Sequence, residues 1–129
     1  MERFYLSPTD ETPEVILDPS VPEFKIQGNS YPENSTKIYT PILEWLEEYV
    51  EVSSTNKIVF DFNFDYFNTS SAKYILEVLR IIARLQDNGK DVLIRWHYFE
   101  DDTDMMESGE DYIATVDLPF EMVMREDTF

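Results

Sequence analysis

A chain of 129 residues with 43% apolar residues, among them nine Phe, eight Tyr and two Trp, can fill the core of a single two-layer domain, which excludes a disordered regulator. Twenty-seven acidic against ten basic residues leave a net charge of −17, which repels the polyanions nucleic acid and anionic membrane and favours solubility and basic protein partners. The absence of cysteine excludes a disulfide framework, a thiolate nucleophile and a Cys-based zinc site, and only three glycines argue against a Gly-rich phosphate loop.

Residues 1–13 read as an extended lead-in, ahead of one domain over residues 14–125. The start MERFYLSPTDETPE has no basic stretch followed by an apolar run, so no signal peptide is expected. No segment approaches membrane-spanning length, and the cytoplasm is the expected compartment. Glu14–Leu17 and Glu23–Gln27 read as short strands joined by the turn Asp18-Pro19-Ser20-Val21-Pro22. Gly28-Asn29 is expected to stop the second strand. Ser30 and Glu33 have capping-box spacing ahead of a helix over 34–51, where Ile38, Ile42, Trp45, Leu46 and Tyr49 recur at helical spacing. Pro41 either kinks this helix or opens a fresh one capped by Thr40.

Ser53–Asn56 is a polar loop. In Lys57–Tyr66, Ile58, Phe60, Phe62 and Phe64 alternate with Val59, Asp61, Asn63 and Asp65, the pattern of a strand covered mainly on one side. Residues 70–88 form the strongest helix, closed by Asn88-Gly89. Ala72, Ile75, Leu76, Leu79, Ile82 and Ala83 share one stripe of it, and Tyr74, Val78, Ile81 and Leu85 a second beside it. Together they exceed the roughly 100° arc that suffices for a surface helix, so the second stripe is covered by the 38–50 helix or by a partner's groove. Asp91–Phe99 is a strand with bulky residues on both faces, Glu100–Asp104 an acidic loop, 105–114 a short helix and Phe120–Met124 a final edge strand. Strand–helix–strand units of this kind predict an α/β domain with a mixed sheet and helices mainly on one face.

Catalytic signals are weak. Glu100-Asp101-Asp102-Thr103-Asp104 lacks the alternating ligands, central Gly and terminal Glu of a calcium loop, so no metal is expected. His97, the one histidine, has no nucleophile signature near it and reads as structural. No cofactor motif is present, and the chain reads as a binding protein rather than an enzyme. Asn68-Thr69-Ser70-Ser71 stands where a strand ends and the main helix begins. Hydroxyls there cap a helix, and the same free amides and helix dipole also welcome a phosphate.

Gly28-Asn29-Ser30-Tyr31-Pro32-Glu33-Asn34-Ser35, then Tyr66-Phe67-Asn68-Thr69-Ser70-Ser71, then Arg95-Trp96-His97-Tyr98, resemble the SiaC family of bacterial regulatory phosphoproteins, over about residues 14–125. The resemblance implies a fold like that of anti-anti-sigma factors, the STAS fold, whose phosphosite lies between a strand and a helix. It matches Thr69 to the phosphoacceptor. It also implies a partner kinase, a PP2C-type phosphatase reversing it, and an unphosphorylated form that activates a diguanylate cyclase, raising cyclic di-GMP and promoting aggregation or biofilm. Pro41 departs from the family pattern. On this reading Asn68, Thr69, Ser70, Ser71, Lys73 and Tyr74 form the partner-binding surface. The rival reading is an acidic inhibitor or antitoxin-like protein, which needs the charge but not Thr69.

Overall fold

The computed structural model describes residues 1–21 and 23–126. Pro22, expected in the turn before the second of the two short strands, lies outside the described residues. Six strands, β1 (Phe4–Leu6), β2 (Glu14–Leu17), β3 (Glu23–Ser30), β4 (Lys57–Phe67), β5 (Asp91–Phe99) and β6 (Phe120–Arg125), lie side by side in chain order. The first three pair antiparallel, and β3 to β6 run parallel. Three helices connect the parallel strands: α1 (Ser35–Val52), α2 (Thr69–Asp87) and α3 (Thr103–Thr115).

The alternation of β4 is realised in burial. Ile58, Phe60, Phe62 and Phe64 are buried under the helices, while Val59, Asp61 and Asn63 on the other face are only half-buried. Register carries the pattern across the sheet, since Ile58, Phe60 and Phe62 sit opposite Val92, Ile94 and Trp96 of β5. Phe62 stacks between Phe60, at 4.6 Å between centroids, and Trp96, at 5.8 Å. The Trp96 indole donates to the Met105 carbonyl at 2.9 Å, which fastens α3 over the same face. All three helices therefore cover one side of the sheet. The second apolar stripe of α2 needs no foreign partner, because Val78, Ile81 and Leu85 are buried where α1 packs alongside.

Several local expectations change. The lead-in is not merely extended: Phe4–Leu6 add an edge strand, with Tyr5 donating to Glu14 at 2.8 Å. Gly28-Asn29 does not end β3. Gly28 adopts φ +101°, open to glycine without strain, and the pairing shifts there: Gly28 faces Phe64 and Asn29 faces Tyr66, so Asp65 is an extra residue. Ser30 is consequently a strand residue and caps nothing, and Asn34 caps α1 by accepting from the Lys37 amide at 3.2 Å. Pro41 lies inside one continuous α1, and Thr40 starts no new helix. The acidic loop is shorter than expected, because Asp102 accepts from the Met105 amide and caps α3 from Thr103 onward.

Gly109 shows how closely α3 meets the sheet. A Cβ there would lie 2.5 Å from Cδ1 of Trp96 and 2.9 Å from Cε of Met122. The indole is fully buried and cannot swing away. Gly109→Ala is expected to lower stability by about 1–3 kcal/mol, read as a fall in the urea midpoint at unchanged slope. An unchanged midpoint would show that α3 does not seat on Trp96.

Candidate functional site

The bulge at Asp65 decides what stands at the junction between β4 and α2. One extra residue inverts the alternation that follows it. Phe67 turns into the core, 5.3 Å from Phe64, and Tyr66 turns outward. There Tyr66 packs edge-on against Tyr31 at 5.9 Å, and the two rings stay 55% and 38% exposed. An exposed aromatic pair beside a helix start is an anchor suited to protein contact. The alternating sequence of β4 predicts Tyr66 on the buried side, so only a bulge signal at Gly28 would have revealed this pair.

Asn68 caps α2, its side chain accepting from the Ser71 amide at 2.9 Å and from the Ser70 hydroxyl at 3.1 Å. The neighbouring hydroxyls are nearly all committed. Ser71 donates to the Ser30 carbonyl at 2.9 Å and accepts from the Ser30 hydroxyl at 2.8 Å. Each hydroxyl has one proton, so the 2.6 Å contact between Ser30 and Tyr39 is donated by Tyr39. Burial pushes the Tyr39 hydroxyl up to about 12, which keeps it protonated for that role. By the same count Ser70, already donating to Asn68, accepts from Ser35 at 2.6 Å. Thr36 and Tyr74 share a further contact at 2.6 Å.

The six residues expected to form the partner surface therefore divide. Ser71 does not belong to an exposed surface: it is fully buried, because its hydroxyl ties α2 to β3. Tyr74 is half-buried, stacked on Tyr39 at 5.3 Å between the two helices. Asn68 is half-buried as the cap, and Ser70 and Lys73 are exposed. Thr69 is exposed at the first helical position, and its hydroxyl takes part in none of these side-chain hydrogen bonds. Lys73 follows it by one turn.

His97 lies on the opposite, open face of the sheet. Its Nε2–H donates to Asp61 at 2.6 Å and its Nδ1 accepts from Arg125 at 3.0 Å, the tautomer that satisfies both. Among the described residues no three His, Asp or Glu side chains gather as a metal set. No described helix is long and apolar enough to cross a membrane.

The family profile described as SiaC family regulatory phosphoprotein matches residues 6–125. The chain belongs to the SiaC family. An uncharacterized protein of Pseudomonas aeruginosa strain UCBPP-PA14 is 28% identical over 93% of this chain and 94% of its own length. The crystal structure of apo-SiaC from Pseudomonas aeruginosa superposes with a TM-score of 0.85 at 28% identity, covering 95% of this chain and 99% of that one. A structure of the diguanylate cyclase SiaD in complex with its activator SiaC, from the same organism, matches with a TM-score of 0.87 at 26% identity, over 95% of this chain and 99% of the matched one. This SiaC-family chain thus shares the mixed sheet and helices of those structures.

Burial holds the His97 pKa below its usual 6.5. Arg125 and Arg95 act in the same direction, and the hydrogen bond to Asp61 opposes them. The unfolded chain then binds more protons here than the folded one, so this site's contribution to stability is fully present above about pH 6.5 and is lost as the pH falls from there through the lower folded pKa. His97→Gln keeps an N–H for Asp61 without a titrating ring. It is expected to flatten the dependence of the urea midpoint between about pH 7 and 5. An unchanged profile would assign the dependence to the carboxylates.

Proposed function

We propose that this protein is a phosphorylation-switched activator, not an enzyme, and that Thr69 is its switch. The observation carrying the proposal is the contrast at the α2 start: Tyr39, Ser30 and Ser71 are bound in one chain, Ser35 to Ser70 and Thr36 to Tyr74, whereas the Thr69 hydroxyl is exposed and takes part in none of these bonds. A kinase reaches it without unfolding the helix. The phosphate then meets the first-turn amides that the Asn68 cap leaves free and the Lys73 ammonium one turn on.

In its unphosphorylated state the protein binds and activates a diguanylate cyclase in the cytoplasm, and so raises cyclic di-GMP in the control of aggregation or biofilm. The solved complex in which a related SiaC is the activator of the cyclase SiaD supports this reading. A protein kinase and a PP2C-type phosphatase set the state of Thr69. Tyr31 and Tyr66 anchor the cyclase contact beside it. Phosphorylation adds about −1.5 to −2 charges to a surface fitted to a neutral hydroxyl. Burying that charge unpaired costs several kcal/mol, on the order of a hundredfold in affinity.

Calorimetry against a diguanylate cyclase of the SiaD type tests the proposal. Thr69→Ala is expected to keep binding and lose its response to kinase, and Thr69→Asp to weaken binding with the far-ultraviolet dichroism unchanged. Equal affinity of the phosphorylated and unphosphorylated forms would remove Thr69 as the switch and leave a permanent acidic inhibitor. Tyr66→Ala, at an exposed site, is expected to weaken cyclase binding about tenfold or more without changing the urea midpoint. Unaltered affinity would place the contact elsewhere.

A further inference from the structure

The face of the sheet without helices holds a charged trough. Parallel strands are almost always covered on both sides, yet β3 to β6 leave one face open. Its centre is not an apolar patch waiting for a helix. A trough of about 440 Å³ lies there, and in a chain of net charge −17 three of the ten cations, Lys25, Arg95 and Arg125, line it. Register explains the convergence: Lys25 faces Asp61 across β3 and β4, Asp61 faces Arg95 across β4 and β5, and Arg125 at the end of β6 reaches back over the same face.

Carboxylates neutralise Arg95 but, among the described residues, pair with neither Arg125 nor Lys25. Asp61 is already committed, accepting from His97 at 2.6 Å and lying 3.5 Å from Arg95, which also lies 3.5 Å from Glu121. Arg125 meets only neutral acceptors among the described residues. These are Nδ1 of His97 at 3.0 Å and, with the Asn63 amide turned to present its oxygen, that oxygen at 2.8 Å. Lys25 is exposed and in no ion pair among the described residues. The lining itself sets three cations against Glu23 and Asp61, and Glu121 beside Arg95 brings the local balance to neutral in a molecule that is otherwise strongly acidic. A planar guanidinium held from behind by two neutral acceptors keeps N–H groups and an uncompensated charge for an incoming oxyanion. The volume lies within the roughly 300–1,000 Å³ of small-molecule sites.

We infer that this trough binds a small polyanion bearing phosphoryl or carboxylate groups, gripped by Arg125 and Lys25 and flanked by Arg95. The site is independent of the proposed switch. It lies on the opposite side of the sheet from α2, so a ligand there does not occupy the Thr69 surface.

The test is a nitrogen-15 NMR titration of the unphosphorylated full chain with pyrophosphate and, separately, citrate. Shifts are expected at residues 25–27, 61–63, 95–97 and 123–125, weakening as salt is raised. The double variant Lys25→Gln, Arg125→Gln alters two exposed side chains and is expected to bind at least about tenfold more weakly, a loss of about 1.4 kcal/mol. Its thermal midpoint checks the fold, and Arg80→Gln, an exposed cation on α2, is expected to bind like wild type. Response to pyrophosphate alone assigns a phosphoryl ligand, and response to citrate alone a carboxylate one. The inference is overturned if neither probe shifts these amides at about 10 mM, a very weak limit on the affinity scale. It is equally overturned if the folded double variant binds like wild type, or if the shifts gather at residues 69–73, where the helix N-terminus would be the anion site.

Discussion

The carbonyl oxygen of Ser30 accepts two hydrogen bonds, from the Asn68 amide and the Ser71 hydroxyl, each at 2.9 Å. These two bonds join the end of β3 to the start of α2, elements separated by about forty positions of sequence. The register shift between Gly28 and Asn29 sets Ser30 opposite Phe67 and so brings it there. Without the extra residue at Asp65, the side chains after it would exchange faces. Phe67 would leave the core, Tyr66 would enter it, and Ser30 would lose its place beneath the helix. The surface at the α2 N-terminus follows from one irregularity in a parallel ladder.

That irregularity also separates structural hydroxyls from an available one. Hydroxyls buried near a helix start need partners, because an unmet polar group costs about 1–3 kcal/mol. Tyr39, Ser30 and Ser71 satisfy one another in a closed chain that ends on the Ser30 carbonyl. Ser35 and Ser70 complete a second chain on the Asn68 side chain. Thr69 projects from the first helical position, where neither chain runs. No side-chain hydrogen bond of this network uses its hydroxyl, which is what the proposed switch requires.

The two faces of the sheet divide the chemistry. Under the helices, stacked aromatic rings from β4 and β5 make a dry core closed by α3 over Trp96. On the open face the same strands present charged side chains at the alternate positions, ordered around a neutral His97. Period two in each strand puts both surfaces on one scaffold and keeps them apart by the thickness of the sheet.

Periodicity by itself determined most of the architecture: the Phe-rich alternation of β4, the helical stripes of α2, its Asn88-Gly89 stop and the terminal edge strand all stand as their patterns require. The three motifs were legible as a resemblance to the family, and Thr69 as a hydroxyl at a strand–helix junction. Tertiary structure alone decided the rest. Phe4–Leu6 is too short to signal a strand and exists because β2 offers an open edge. Ser30 has the spacing of a helix cap but is drawn into β3, since pairing with β4 and burial against Tyr39 outweigh a local capping preference. Ser71 and Thr69 are alike by residue type and two positions apart, yet one is buried and one exposed, because a helix turns about 200° in two residues. The cations of the open face are scattered over Lys25, Arg95 and Arg125, and only strand register brings them into one trough.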